Sequence, residues 1–235
     1  MFTKEFVKER SDYFENLPAQ ELLKWVYENF SNVGFTSSFS ADDVSIIHMI
    51  KGIKPDALII FIDTDYHFLE TYQLVERIKR EWNINLKVIK PQITVEQQIN
   101  LYGEKLYEKD PDKCCQIRKV EPLKRVLEEL DVWITGMRRD QSPTRANIGK
   151  VEIHKLPSGR EILKVNPIAD WKRKDVWNYV YQHNLPYNPL YDRNYLSIGC
   201  APCTRPVEEG EDERAGRWAG KGKLECGLHT FTEKE

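Results

Sequence analysis

Between residues 33 and 136 short apolar runs alternate with longer amphipathic ones, and few folds accommodate that rhythm. VGFTS (33–37) precedes the helical pattern ADDVSIIHMIKG, ALIIFID (57–63) precedes HFLETYQLVERIKREW, and LKVIK (86–90) precedes TVEQQINLYGEKLY. A further helix, roughly 114–130, leads into VWITG (132–136). Strands alternating with helices of this length build βαβ units, so the expected fold class is α/β: a Rossmann-like, mainly parallel sheet with helices on both faces. Such sheets bind ligands beyond the carboxyl ends of their strands, where the strand order reverses. The informative loops are therefore SSFSADD (37–43), DTDY (63–66) and TGMRRDQSP (135–143).

The flanks read differently. The first 30 residues are helical, with Phe2, Phe6, Tyr13 and Phe14 at helical spacing and Pro18 opening a second helix at a first-turn position. From about residue 145 the pattern becomes a hairpin turning at Pro157–Gly159, then one helix with Val176, Tyr179 and Val180 on a single face. The end of the chain is polar, glycine-containing and without apolar periodicity. The expected division is an α/β nucleotide- and cluster-binding body, 1–199, and a C-terminal segment, 200–235, whose part beyond residue 203 is mobile.

A chain of 235 residues, 40% hydrophobic and 31% charged, has enough apolar material for a sizeable core. Its net charge of −2 argues against a nucleic-acid binder, whose affinity comes from neutralising phosphates. MFTKEFVKERSDYFENL carries no long apolar run, so neither a signal peptide nor a membrane span is expected. A cytoplasmic protein keeps its thiols reduced, and five cysteines suit metal or catalysis better than disulfides.

In SSFSADD, Ser37, Ser38 and Ser40 stand at a strand-to-helix turn, where hydroxyls and free N–H groups make an anion site. An ordinary helix cap explains the same residues. Asp42 and Asp43 in the first turn suit contact with a ribose or a single phosphate better than with a triphosphate. In TGMRRDQSP, Gly136 permits close backbone approach, and Arg138 and Arg139 can offer planar donors to an oxyanion or pair with Asp140 on the surface.

Cys114 and Cys115 are adjacent in KCCQIRKVEPL, and Cys200 and Cys203 form the C-x-x-C of GCAPCTRP. Four thiols from two distant segments suit an iron–sulfur cluster or, less well, a zinc ion, because a vicinal pair is unusual for zinc. Lys119 lies one turn after Cys115 and would set a cation beside the thiols. Cys226 stands alone in KLECGLH, with His229 three residues on and Arg214, Arg217, Lys221 and Lys223 upstream. Nearby positive charge lowers a thiol pKa, which makes Cys226 a candidate nucleophile.

Together, KCCQIRKVEPL, GCAPCTRP, ERAGRW and KLECGLH strongly resemble the assimilatory adenylylsulfate (APS) reductases. These form the iron–sulfur branch of the phosphoadenylylsulfate (PAPS) reductase family, with adenine nucleotide α-hydrolase-like folds. The resemblance spans about residues 30–229. It implies that Cys114, Cys115, Cys200 and Cys203 bind one 4Fe–4S cluster, that Cys226 is the nucleophile, and that Lys119 links cluster and substrate. It further implies that Arg214, Arg217 and His229 bind anions. The phosphate, ribose and adenine contacts would fall on Ser37, Ser38, Ser40 and Asp43, on Ile62 and Thr64, and on Gly136, Arg138 and Arg139. The implied reaction is reduction of APS to sulfite and AMP through a Cys226 S-sulfonate, within sulfate assimilation and cysteine biosynthesis. Thioredoxin or glutaredoxin would be the donor, and a homo-oligomer is compatible with the family. The phosphate loop departs from the family in having Ser40 where glycine is frequent, which leaves PAPS, or both nucleotides, as alternative substrates. A pyrophosphatase-type adenylating or thiolating enzyme of the same fold is a rival, although SSFSADD lacks that group's paired glycines. The other rival is a cluster or zinc module without catalysis.

Overall fold

The computed structural model describes residues 2–223 and 225–229. Six strands form one sheet: β1 (Val33–Ser37), β2 (Leu58–Ile62), β3 (Asn85–Ile89), β4 (Val132–Ile134), β5 (Val151–Lys155) and β6 (Glu161–Val165). Their order is β3-β2-β1-β4-β6-β5, and all neighbours are parallel except the β5–β6 hairpin. The strand order reverses between β1 and β4, where Gly34 faces Leu58 on one side and Trp133 on the other. The expected mainly parallel α/β sheet is therefore what the chain forms. The hairpin does not stand apart from it, because β6 docks parallel to β4.

Alternation along the strands explains the layers. Phe35, Ile59, Phe61, Val132, Ile134, Leu163 and Val165 face one apolar cluster, shared with α1 (Lys4–Phe14), α2 (Ala19–Asn29), α3 (Ala41–Ile53) and α9 (Arg173–Gln182). Ile60, Trp133 and Ile162 face the other side, against Leu123, Val126 and Leu127 of α8 (Glu121–Leu127). Each large apolar side chain so buried contributes roughly 1.5–3 kcal/mol. Gly34 is required where the second layer comes closest, since a Cβ there would sit 2.8 Å from both Ile60 and Leu130. Tyr13, grouped with the apolar face of α1 by its spacing, points to solvent and meets Phe14 edge-on.

The helix expected over 114–130 forms, unbroken from residue 111 to 127, but it is not regular throughout. It consists of α7 (Pro111–Cys115), a wide π turn over Gln116–Val120, and α8. Pro122 has no N–H for the carbonyl of Arg118 and would clash with it in a regular helix, which accounts for the widening. Lys119 lies inside that turn and is buried. The remaining helices, α4 (Leu69–Trp82), α5 (Val95–Tyr102) and α6 (Leu106–Lys109), complete the crossovers.

The described part of the C-terminal segment, residues 200–223 and 225–229, folds back onto the body. Trp218 is buried, its backbone N–H donates to the carbonyl of Cys203 (3.0 Å), and Val207 is also buried. A polar segment can pack in this way because ion pairs with the body replace an apolar face.

Candidate active site

A cleft with about 180 Å³ open to the centre of a water molecule lies beyond the carboxyl ends of β1, β2 and β4. Ser37, Ser38, Ser40 and Asp43 line it from the loop after β1. Phe39 holds that loop in shape. Its φ of 57° is unusual for a bulky residue, and burial of its ring against Phe61 compensates the strain. Ser40 caps α3 by accepting the N–H of Asp43 (3.3 Å), so the cap reading is correct for its side chain. Asp43 accepts both the N–H (2.6 Å) and the hydroxyl (2.8 Å) of Ser38. Burial, reinforced by the Asp42 charge and opposed by those hydrogen bonds, pushes its carboxyl up to about 6. Gly136 is needed opposite: any Cβ there would enter the Asp43 carboxylate. Ile62 and Thr64 line the cleft from the end of β2.

Arg138 and Arg139 do not line the cleft, which corrects the expectation for both. Arg138 is fully buried, pairing with Asp42 and Asp140 and donating to both carboxylate oxygens of Glu213 (3.1 Å each). A guanidinium held by three carboxylates has most of its donors committed to them. Arg139 turns to the first helix, donating to Glu15 (2.8 Å) and to the carbonyl of Ile148 (2.8 Å). The arginine after β4 that does line the cleft is Arg145, which carried no sequence signal of its own. It donates through Nε (2.9 Å) and Nη2 (2.7 Å) to the two carboxylate oxygens of Glu225. Gln141, within the loop TGMRRDQSP already singled out, lines the cleft, as do Trp133 and His67, which were not anticipated.

The tail supplies the remaining wall. Cys226, Arg214, Arg217, Leu228 and His229 all face the cleft, together with Lys119 from the π turn. Arg217 lies over the Trp218 ring (4.5 Å) and occupies space that any side chain at Gly199 would claim. Burial, with Arg145 and Arg217 close by, lowers the Arg214 pKa to about 10. His229 stacks on Trp133 (5.3 Å between centroids, 11° between planes). Burial and the cations Lys164 and Arg145 hold its pKa well below 6.5, so it is a neutral imidazole. As an anion-binding group it offers one N–H rather than a positive charge.

Beside the cleft, Cys114, Cys115, Cys200 and Cys203 ring a second, smaller cavity with Lys119, Arg118, Tyr66 and Trp218. Cys200 is brought there by a bridge to His67 and by the Ala201 N–H, which donates to the carbonyl of Tyr66 (2.7 Å). All four thiols are free of disulfides. Burial first, and then the charges of Cys115, Cys200 and Cys203, push the Cys114 thiol up to about 12. Burial opposes the Lys119 ammonium, yet Cys200, Cys226 and Cys115 together outweigh it and keep that ammonium charged. Among the described residues no three His, Cys, Asp or Glu side chains converge on one metal ion. The four cysteines nonetheless line one cavity, and four soft sulfur donors are a set that an iron–sulfur cluster or a zinc ion takes.

Comparison with known proteins agrees with this geometry. Residues 32–206 match the family model described as the phosphoadenosine phosphosulfate reductase domain. The chain is 44% identical over 226 residues to the adenosine 5'-phosphosulfate reductase of Halalkalibacterium halodurans, covering 95% of this chain and 96% of that protein. It is 46% identical over 217 residues to the enzyme of that name from Geobacillus thermodenitrificans, covering 92% and 91%. The crystal structure of the phosphoadenylyl-sulfate (PAPS) reductase from Candida auris, a phosphate complex, superposes with a TM-score of 0.77 at 30% identity, covering 88% of this chain and 98% of that one. A family match spanning all six strands and identities of this size along nearly the full chain place the protein in the phosphoadenosine phosphosulfate reductase family.

Proposed function

We propose that this protein reduces APS to sulfite and AMP, with Cys226 as the nucleophile. The observation that carries the reading is that Cys226 lines the same cleft as the nucleotide loops and the cations Lys119, Arg214 and Arg217. The relatives named adenosine 5'-phosphosulfate reductase, at 44–46% identity, favour APS over PAPS as substrate. The sulfur of APS is electrophilic but surrounded by anionic oxygens that repel a thiolate. Lys119, Arg214 and Arg217 offset that repulsion, Arg145 and the His229 N–H reach the same space, and the loop carrying Ser37–Ser40 receives the nucleotide.

The Cys226 thiolate attacks the sulfate sulfur, an S–S bond forms, and the S–O bond to the AMP phosphate breaks with its electron pair leaving on AMP. A donor thiolate from thioredoxin or glutaredoxin then attacks the Cys226 sulfur. The S–S bond to the sulfonate breaks and sulfite leaves with that pair. The second donor cysteine resolves the mixed disulfide and restores the Cys226 thiolate, so two thiols supply the two electrons that sulfite gains. We assign one 4Fe–4S cluster to Cys114, Cys115, Cys200 and Cys203. When bound, it supplies an anionic body that ties the root of the tail to α7 and whose charge Lys119 offsets. The body, 1–199, and the segment 200–235 act as nucleotide holder and nucleophile carrier in the cytoplasm, in sulfate assimilation and cysteine biosynthesis. No helix among the described residues is long and apolar enough to cross a membrane.

The test is anaerobic incubation with APS or PAPS, followed by mass spectrometry. A sulfonate on Cys226 with stoichiometric AMP is expected from APS, and none from Cys226→Ser. Adduct formation by that variant would overturn the assignment of the nucleophile. The purified protein should be brown, and Cys203→Ser should lose the colour.

A further inference from the structure

Glu225 directly precedes the nucleophile, where a free carboxylate would be a handicap. It would repel an anionic substrate and disfavour the thiolate beside it. The structure neutralises it almost completely. One carboxylate oxygen accepts Arg145 Nε (2.9 Å), Ser142 Oγ (3.2 Å) and Thr144 Oγ1 (3.1 Å). The other accepts Arg145 Nη2 (2.7 Å) and Arg214 Nη2 (3.3 Å). The side chains of Glu225 and Arg145 are only 14% and 9% exposed, so water competes little for this fork-to-fork pair. Three of the four partners, Ser142, Thr144 and Arg145, belong to the loop after β4 that carries Gly136 against the nucleotide loop. Two residues past Glu225, Gly227 has a φ of +83°, a turn that swings the chain toward Trp133 and the His229 stack.

We propose that Glu225 is a positioning residue: its carboxylate, gripped by the loop after β4, sets the Cys226 sulfur in the cleft. The proposal rests on Cys226 being the nucleophile. Arg145 faces both the cleft and Glu225, so the loop that meets the nucleotide also holds the thiol in register with it.

The test compares wild type, Glu225→Gln and Glu225→Asp as the cluster-loaded protein with AMP bound. Two readouts are used: alkylation of Cys226 by iodoacetamide across pH, and single-turnover S-sulfonation at saturating APS. Alkylation uses no substrate chemistry. Its limiting rate at high pH reports exposure of the sulfur, separately from the apparent thiol pKa. Glu225→Gln is expected to raise that limiting rate about tenfold, as loss of one charged docking contact implies. It should slow S-sulfonation about ten- to a hundredfold at saturation, the usual effect of a misplaced reacting atom, with KM changed less than about threefold. Glu225→Asp, which keeps the charge on a shorter arm, should recover part of both. A Gln variant with wild-type limiting alkylation and wild-type turnover overturns the proposal. So does one in which only the thiol pKa moves, because Glu225 would then act through charge alone. If wild type released no AMP from APS, the functional reading would fail, while alkylation would still decide whether Glu225 holds Cys226.

Discussion

At the scale of single residues, neighbouring arginines in one loop have different tasks, and the difference lies in what each meets in space. Arg138 is fixed by Asp42, Asp140 and Glu213, and Arg139 by Glu15. Removing one partner of a buried ion pair typically costs about 3–5 kcal/mol, because the remaining charges stay buried. A half-exposed pair contributes about 0–1 kcal/mol. Arg138→Gln should therefore lower the unfolding free energy by several kcal/mol in denaturant titrations, whereas Arg139→Gln should change it by less than about 1 kcal/mol. Neither guanidinium lines the cleft, so calorimetry on the folded Arg139→Gln protein should give wild-type AMP affinity. A large loss there would restore Arg139 as a phosphate ligand.

At the scale of elements, the tail has a small anchor of its own. Trp218 is buried beneath Arg217 (4.5 Å) and near Lys223 (5.6 Å), although the sequence around it has no apolar period. Truncating a buried Trp usually costs about 3–5 kcal/mol. Here most of that loss should fall on docking of the tail rather than on the sheet. Trp218→Ala is expected to make the chain beyond Cys203 readily cleaved in limited proteolysis, while the main thermal transition of the body moves little. AMP should protect the wild-type tail and fail to protect the variant. Uniform destabilisation of the whole chain would show that the tail belongs to the same cooperative unit. The π turn shows the same limit of local reading. Pro122 announces a helix irregularity, but only the packed structure shows Lys119 turned inward toward the thiols.

At the scale of the whole molecule, buried histidines link stability to pH. His154 lies behind Trp133 (5.0 Å), and burial, with Lys164 nearby, lowers its pKa to about 4. The unfolded chain has the ordinary value of about 6.5, so acid favours the unfolded state. Its share of stability is fully present above about pH 6.5 and declines as pH falls toward 4, by on the order of 3 kcal/mol. Asp43, with its carboxyl raised to about 6, works in the opposite sense, because its burial penalty is relieved on protonation. The clean measurement is a difference: stability of wild type minus that of His154→Gln, followed from pH 7.5 to 4.5. That difference should shrink as the pH falls. A constant difference would mean that His154 does not change its protonation on unfolding.

The alternating strands and helices, the loops after the strands as the place for a ligand, and the two thiol pairs are legible in the sequence. Periodicity encodes the strands and helices because it follows from neighbouring residues along one strand or one turn, whereas joining the two thiol pairs into one set rests on the resemblance of KCCQIRKVEPL and GCAPCTRP. That Arg145 rather than Arg138 or Arg139 faces the cleft, that His229 is a neutral ring on Trp133, and that Glu225 is clasped beside Cys226 emerge from long-range packing instead. Those outcomes depend on which charges meet across some 80 residues of chain, as Arg145 and Glu225 do. The energy of such a pair is set by burial and geometry that no local pattern records.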